Sequence, residues 1–330
     1  MTRPGSTSSP GFDDSLMRAA SGGRVLLTGP ADPDGDSLGA CLALARAVVE
    51  LGGAPVVAGT PGPRYRWLPG ARQMVPEADL RGPFDLAVVV DGDRTRLHPQ
   101  VGAAYDAAGQ RALLDHHRST RAEGYDLWRV EPSVSSSCEL VLSLMDAWGL
   151  PLDPEVAVLL YAGLVFDTGC FRHPSTTPAT HLAAARLVGA GIDHSAIALK
   201  VLWERRPAGT ALLAQALGGA RAELGGEVAW AVLRQADLQR HSAEASDLEG
   251  LVDSLLLTAG VELAALLVER GPALVRLSLR SRSRVDVSAL AARIAPGGGG
   301  HRRAAGAMLP WPLPEAEARV GPALVAAARG

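Results

Sequence analysis

A chain of 330 residues is too long for one compact core, and its 47% hydrophobic and 20% charged residues exclude disorder as the default state. A net charge of −3 excludes a protein that coats long nucleic acid through bulk charge. The charge is uneven, however: residues 271–330 carry nine Arg against three acids (Asp286, Glu315, Glu317), a balance of +6 that leaves −9 elsewhere. That asymmetry predicts metal-binding carboxylates in the front of the chain and an anion-binding surface behind.

In chain order, MTRPGSTSSPGFDDS lacks the apolar stretch of a signal peptide and reads as a polar tail. Arg24 to Leu27 is expected as a strand, followed by a loop rich in Gly, Pro and Asp and a helix over Ser37 to Leu51 that stops at Gly52-Gly53. Pro55–Ala58, Asp85–Val90 and Arg111–Leu114 read as further buried strands, and Ser136–Trp148, Pro154–Tyr161, Pro178–Gly189 and Asp193–Trp203 as helices. This alternation predicts an α/β fold with a mainly parallel sheet flanked by helices. A helix over Arg206 to Leu224 connects to a second, smaller α/β unit, with the boundary within residues 200–226. That unit is expected to hold a strand (Val228–Leu233), a helix (Asp247–Leu257), strands at Val261–Glu269 and Ala273–Arg280, and a helix at Val287–Ile294. A glycine run then leads into another helix, and the Pro- and Ala-rich end finishes as a helix. The best apolar run, Val156 to Phe166, falls short of the ~18 residues a membrane span needs. Three cysteines (Cys41, Cys138, Cys170), with no C-x-x-C pair, argue against a disulfide framework and for a reducing cytoplasm. Lys200 is the only lysine.

The acids cluster where predicted strands give way to loops: Asp32, Asp34 and Asp36, then Asp91 and Asp93, then Asp115-His116-His117, and Asp167 at the end of VLLYAGLVF. Taken singly, each has a plain explanation in turn or cap chemistry. Taken together they point to one crevice, because the carboxyl ends of parallel strands converge. So many carboxylates in one crevice would drive their pKa values up unless cations offset them, and Arg94, Arg96 and Arg172 are too few. Carboxylate and imidazole donors suit two divalent ions of the manganese type, and two such ions suit attack on phosphorus. Two other motifs are weaker. Asp91-Gly92-Asp93 is similar to the D-x-D of haloacid-dehalogenase-type phosphatases, but Arg94-Thr95 follows and a strand–helix unit precedes it. Asp167-Thr168-Gly169 is similar to the aspartic-protease triplet, but there is one copy, set among helices.

The ordered segments PDGDSLGA (33–40), VVVDGD (88–93), LLDHH (113–117) and AGLVFDTGCFRH (162–173) resemble the four motifs of the DHH phosphoesterase family. SLRSR (278–282) and GGGGHRRAAG (297–306) resemble the DHH-associated domain that follows in one branch. The resemblance runs from about Gly23 to Leu313. With the polar tail read above (1–13), it implies a metal-binding catalytic domain (14–200), a connecting helix (201–226) and a substrate-binding domain (227–330). It further implies a manganese-dependent enzyme that cuts oligonucleotides of about two to five nucleotides to nucleoside 5′-monophosphates, and 3′-phosphoadenosine 5′-phosphate to AMP, by two-metal in-line attack. A phosphodiesterase for signalling dinucleotides, or a nucleotide-binding regulator with an impaired metal site, stays open, as does a homodimer.

Position by position, the resemblance assigns Asp34 to the first metal, Asp36 to the second, and Asp91 to both, with His116 and Asp167 completing the second site. His117 would face the scissile phosphate and Asp115 would orient the neighbouring imidazole. SSCE (Ser136–Glu139) and Arg172 match family positions without a role. The family's metal-binding His, four residues before the first motif aspartate, is here Pro30, so the first site loses a ligand that Asp32 would have to replace. In the second unit the glycines Gly298, Gly299 and Gly300, with His301 and Arg302 at a helix start and Arg280 and Arg282 at a strand end, form a phosphate clamp with no base reading. Aromatics at 4% exclude an extended stacking platform for long single strands.

Overall fold

The computed structural model describes residues 7–330, the side chain of His301 excepted. The chain divides into two compact units between Glu204 and Arg205.

In the first unit the strands are β1 (Thr7–Ser8), β2 (Arg24–Thr28), β3 (Ala54–Val57), β4 (Leu86–Val90), β5 (Gln110–Asp115) and β6 (Leu127–Val130). They form one sheet in the order β1-β6-β5-β4-β2-β3. All pairings are parallel except that of β1 with β6. Every residue of β4 (LAVVV) is buried, the continuous apolar run of a central strand covered on both faces. One face packs on helices α2 (Gly35–Glu50), α4 (Ser137–Ala147) and α5 (Pro154–Thr168), joined by α1 (Phe12–Ala20), α6 (Pro178–Gly189) and α7 (His194–Ala198). The other face packs on α3 (Pro99–Asp106), where Tyr105 donates its hydroxyl to the Ala112 carbonyl at 3.0 Å. The strand order reverses between β2 and β4, so the crevice beyond their carboxyl ends is the natural place for a ligand.

Helices α2, α4 and α5 approach one another closely. A Cβ on Gly163 of α5 would run into Cys138 Sγ and stand 2.8 Å from Asp36 Oδ1. That contact is why α5 carries glycine in an otherwise bulky apolar stretch, and it seats Asp36 against two helices. Among the described residues no helix is long and apolar enough to cross a membrane.

The second unit contains α8 (Pro207–Gly218), β7 (Arg221–Glu223), β8 (Val228–Leu233), α9 (Gln235–Arg240), α10 (Leu251–Leu256), β9 (Leu263–Gly271), β10 (Leu274–Ser281), α11 (Val287–Ile294), β11 (Gly299–His301), β12 (Ala304–Leu309) and α12 (Leu313–Arg329). The sheet order is β11-β12-β10-β9-β8-β7, antiparallel except for β8 with β9. One face is covered by α11 and α12 and the other by α8 and α10, each with its own apolar cluster.

Several elements differ from expectation. Helix α5 continues past Tyr161 to Thr168, so Asp167 leaves a helix and not a strand. The segment 1–13 includes strand β1 (Thr7–Ser8) and the start of α1, whose Phe12 is buried. The helix over 206–224 ends at Gly218 and is followed by β7, and the helix over 247–257 is broken at Gly250, which has a left-handed φ of 72°. Residues 199–203 form a π turn after α7. Most consequential, the glycine run does not enter a helix: β11 and β12 pair as a hairpin through Arg302-Arg303. His301 and Arg302 therefore stand at no helix start, and the helix-amide route to a phosphate is absent there.

Candidate metal centre

Each side chain at the crevice is set by the element that carries it. After β2, Asp34 caps α2: its Oδ1 accepts from the amides of Asp36 (3.1 Å) and Ser37 (3.0 Å) and from the Ser37 hydroxyl (3.2 Å). This puts Asp36 in the first turn, fully buried. Asp36 accepts from the amides of Ser137 (2.6 Å) and Cys138 (2.9 Å) at the N-terminus of α4, where exposed N–H groups favour an anion. Asp91 follows β4 with a left-handed φ of 64°, uncommon for a residue other than glycine and costing roughly 1–3 kcal/mol. Its Oδ1 accepts from the Ser137 hydroxyl at 3.2 Å.

At the end of β5, Asp115 is wholly buried and accepts from the amides of His116 (2.8 Å) and His117 (3.2 Å), from His117 Nδ1 (2.7 Å) and from the Thr120 hydroxyl. Asp167 arrives from the last turn of α5, and its carbonyl meets His173 Nδ1 at 2.8 Å. Three carboxylates thus surround one ring nitrogen: His116 Nε2 lies 2.9 Å from Asp167 Oδ2, 3.4 Å from Asp91 Oδ1 and 3.9 Å from Asp36 Oδ2. None of these approaches has the alignment of a hydrogen bond, and among the described residues the buried Nε2 has no further partner. A buried polar atom without a partner is costly unless something further binds it. The donor atoms fall into two overlapping groups, Asp36-His116-Asp167 and Asp91-Asp115-His116-His117. A divalent cation fits this donor set.

The electrostatics agree. Burial, reinforced by Asp91 and Asp167, pushes the Asp34 carboxyl up to about 7. Burial and then Asp167 and Asp91 carry Asp36 well above the usual range. Burial alone would depress His116, but the Asp167 and Asp91 carboxylates outweigh it and hold the imidazole well above its usual value. Burial opposes the Asp115–His117 pair as well, yet their mutual contact holds Asp115 below and His117 above their ordinary values. The raised values of Asp34, Asp36 and His116 mark a crevice crowded with carboxylates, and a bound cation would compete with the protons they favour.

Other expected residues fall elsewhere. Asp93 caps a short helical turn, accepting from the Thr95 amide at 2.8 Å. Asp32 and Arg172 are exposed, and Pro30 is buried. In the second unit, Arg280 Nε donates to Asp253 at 2.9 Å. Arg282 has different work: Nε donates to the Val261 carbonyl (2.9 Å) and Nη2 to those of Leu256 (2.7 Å) and Thr258 (3.4 Å), closing the C-terminal end of α10. Gly298 and Gly300 are required by packing, since a Cβ would meet Ala291 O and Ala304 O respectively, whereas Gly299 faces open space. Gly299 pairs with Gly306, which pairs with Ser278, and His301 pairs with Ala304, opposite Arg280. The residues missed by sequence reasoning are Thr120 and the hydroxyl of Ser137. Ser137 lay inside the quoted SSCE segment, but nothing in the sequence gave its target.

Residues 24–164 match the DHH family, N-terminal domain, and residues 225–321 match the DHHA1 domain. A Streptococcus mutans protein named "Probable bifunctional oligoribonuclease and PAP phosphatase NrnA" is 30% identical over 279 residues, 83% of this chain and 86% of that protein. A Thermus thermophilus protein named bifunctional oligoribonuclease and PAP phosphatase NrnA is 29% identical over 287 residues, 87% of this chain and 84% of that one. In fold, the crystal structure of an exopolyphosphatase-related protein from Bacteroides fragilis superposes with a TM-score of 0.90 at 21% identity, covering 99% of this chain and 98% of its own. These matches define a phosphoesterase architecture, a sheet with acids at its switch point followed by a smaller α/β unit. The chain belongs to the DHH phosphoesterase family.

Proposed function

We propose that this phosphoesterase uses manganese to hydrolyse short RNA or DNA oligonucleotides to nucleoside 5′-monophosphates, and 3′-phosphoadenosine 5′-phosphate to AMP. The observation that carries this reading is the buried His116 Nε2, ringed by Asp36, Asp91 and Asp167 and without a hydrogen bond among the described residues. The names of the relatives at 29–30% identity support the substrates. Asp36, Asp91, His116 and Asp167 would hold one ion, and Asp34 with Asp91 a second, weaker one, because Pro30 offers no donor. When bound, such ions lower the pKa of water and offset charge on phosphoryl oxygens.

The chain's own groups do the rest. His117, its Nδ1 fixed by Asp115, donates to a non-bridging oxygen of the scissile phosphate, and its raised pKa keeps a proton available for that bond. Arg280 takes a phosphate of the substrate in exchange for Asp253, the terminal one in the shortest substrates, and Arg282 keeps the strand end and α10 in place beside it. Gly298–Gly300 and the His301 backbone border that phosphate. Free cysteines suit a cytoplasmic setting.

The test is release of monophosphate from a dinucleotide in manganese buffer. Asp91→Asn is expected to lower that rate more than about a hundredfold, beyond what loss of a supporting partner costs, with the circular dichroism spectrum unchanged. A variant that keeps near-full manganese-dependent activity refutes the assignment.

A further inference from the structure

The sheet of the second unit is covered unevenly. On β10, Val275, Leu277 and Leu279 face the α11–α12 cluster, as do Ala305, Ala307 and Leu309 on β12. On the opposite face the apolar cluster beneath α8 and α10 takes residues of β8 and β9 and none of β10 or β12, and α10 meets β10 at the Arg280–Asp253 contact. The remaining face of β10–β12 presents Leu274, Arg276, Ser278 and Arg280 on one strand and Ala304, Gly306 and Met308 on the other, by strand alternation.

Its two ends differ. Near α10, Arg280 is tethered to Asp253. At the far end Arg276 is exposed, makes no ion pair among the described residues, and is the register partner of Met308. Met308 is 47% exposed and Leu274 is 40% exposed, an unusual pair of large apolar side chains left beside a lone cation. Between the ends, Ser278, Gly306 and Ala304 make a floor low enough for a chain to lie on. The two arginines are four residues apart on one face, about 13 Å along the strand, longer than the span between the phosphates of a single nucleotide.

We propose that this open face is a second nucleotide subsite for the longer substrates: Arg276 binds a phosphate, and Met308 with Leu274 packs on the sugar or base, further along the strand than the phosphate held by Arg280. The inference rests on the proposed oligonucleotide reading. The occupant is a short single strand because β10 and β12 bring two arginines, Arg276 and Arg280, and no acid of their own to this face, and an apolar contact beside a cation matches a base beside its phosphate. Since neither contact reads a base edge, the subsite discriminates by length and not by sequence.

The experiment compares kcat/KM for a dinucleotide and a pentanucleotide on the full chain in manganese buffer, with Arg276→Ala and Met308→Ser. The pentanucleotide-to-dinucleotide ratio is expected to fall about tenfold in Arg276→Ala, the size of one charge-assisted contact. The slope of log(kcat/KM) against log salt for the pentanucleotide should shrink by about 0.7, one phosphate contact of a single strand. A ratio and slope unmoved from those of the unsubstituted protein, with both substrates still cut, overturn the subsite alone. An unsubstituted protein that cuts neither overturns the oligonucleotide reading and the subsite with it. If Met308→Asp converts a dimer into a monomer by light scattering, the face is an interface between copies, and the proposal fails.

Discussion

Ser137 illustrates how much of the centre is set by groups that need not touch a cation. Its amide holds Asp36 and its hydroxyl holds Asp91, so one residue at the start of α4 fixes the spacing of two carboxylates that arrive from α2 and the end of β4. Preorganisation of this kind orients donors before binding, and losing such a partner costs roughly 10–100-fold in metal affinity. Ser137→Ala keeps the amide and removes only the hydroxyl. Its manganese affinity, measured by titration calorimetry, is expected to drop within that range, and Ser137→Thr should restore most of it. Equal affinities for Ala and Ser would leave the hydroxyl with no part in the centre. The acids themselves were legible in the sequence because strand-end positions converge in any parallel sheet. Ser137 was not, because its partners lie 46 and 101 residues away and a hydroxyl at a helix start has an ordinary local explanation.

At the scale of elements, the errors share a cause. The period that separates helix from strand vanishes when an element is buried all round, and α5 is buried at ten of its fifteen positions, so its second half read as strand-like. In β12 the alternation is present, but alanine and glycine blur it, and AAG after four glycines looked helix-compatible. The hairpin that results separates the glycines by function. Gly298→Ala is expected to cost about 1–3 kcal/mol in denaturant unfolding, since its Cβ would press on the Ala291 carbonyl. Gly299→Ala should stay within about 0.5 kcal/mol yet raise KM, because its Cβ would stand in the open space proposed for the phosphate. A stable Gly299→Ala variant with ordinary KM would remove that strand from the binding surface.

At the scale of the molecule, each unit has its own sheet and apolar clusters, so calorimetry is expected to resolve two unfolding transitions, not one. Manganese at a hundredfold excess over its Kd should stabilise only the first unit's transition, by about 2.7 kcal/mol. In chelator the same transition should respond to pH with a definite sign. Asp34 and Asp36 hold protons in the folded chain that the unfolded chain, with carboxyl pKa near ~3.9, has released. Stability therefore falls as pH rises from about 4 through the Asp34 value of about 7. His116 acts in the same direction: its contribution is complete below the unfolded imidazole pKa of about 6.5 and is lost as pH climbs through the raised folded value. A transition that strengthens between about pH 5 and pH 8 in chelator would mean that the carboxylates do not crowd one another in solution. The two-unit plan and the acidic front with its basic back were readable from length and charge alone.

The marginal position of β11 has a consequence for how the protein keeps to itself. Being outermost, this strand turns a row of main-chain donors and acceptors away from the sheet, an arrangement that ordinarily recruits strands from neighbouring molecules and seeds fibrils. Three residues, two of them glycine, closed by a double-arginine turn, are too short and too cationic for such stacking. The features that keep this margin short and cationic are the same ones that guard it against strand-to-strand stacking.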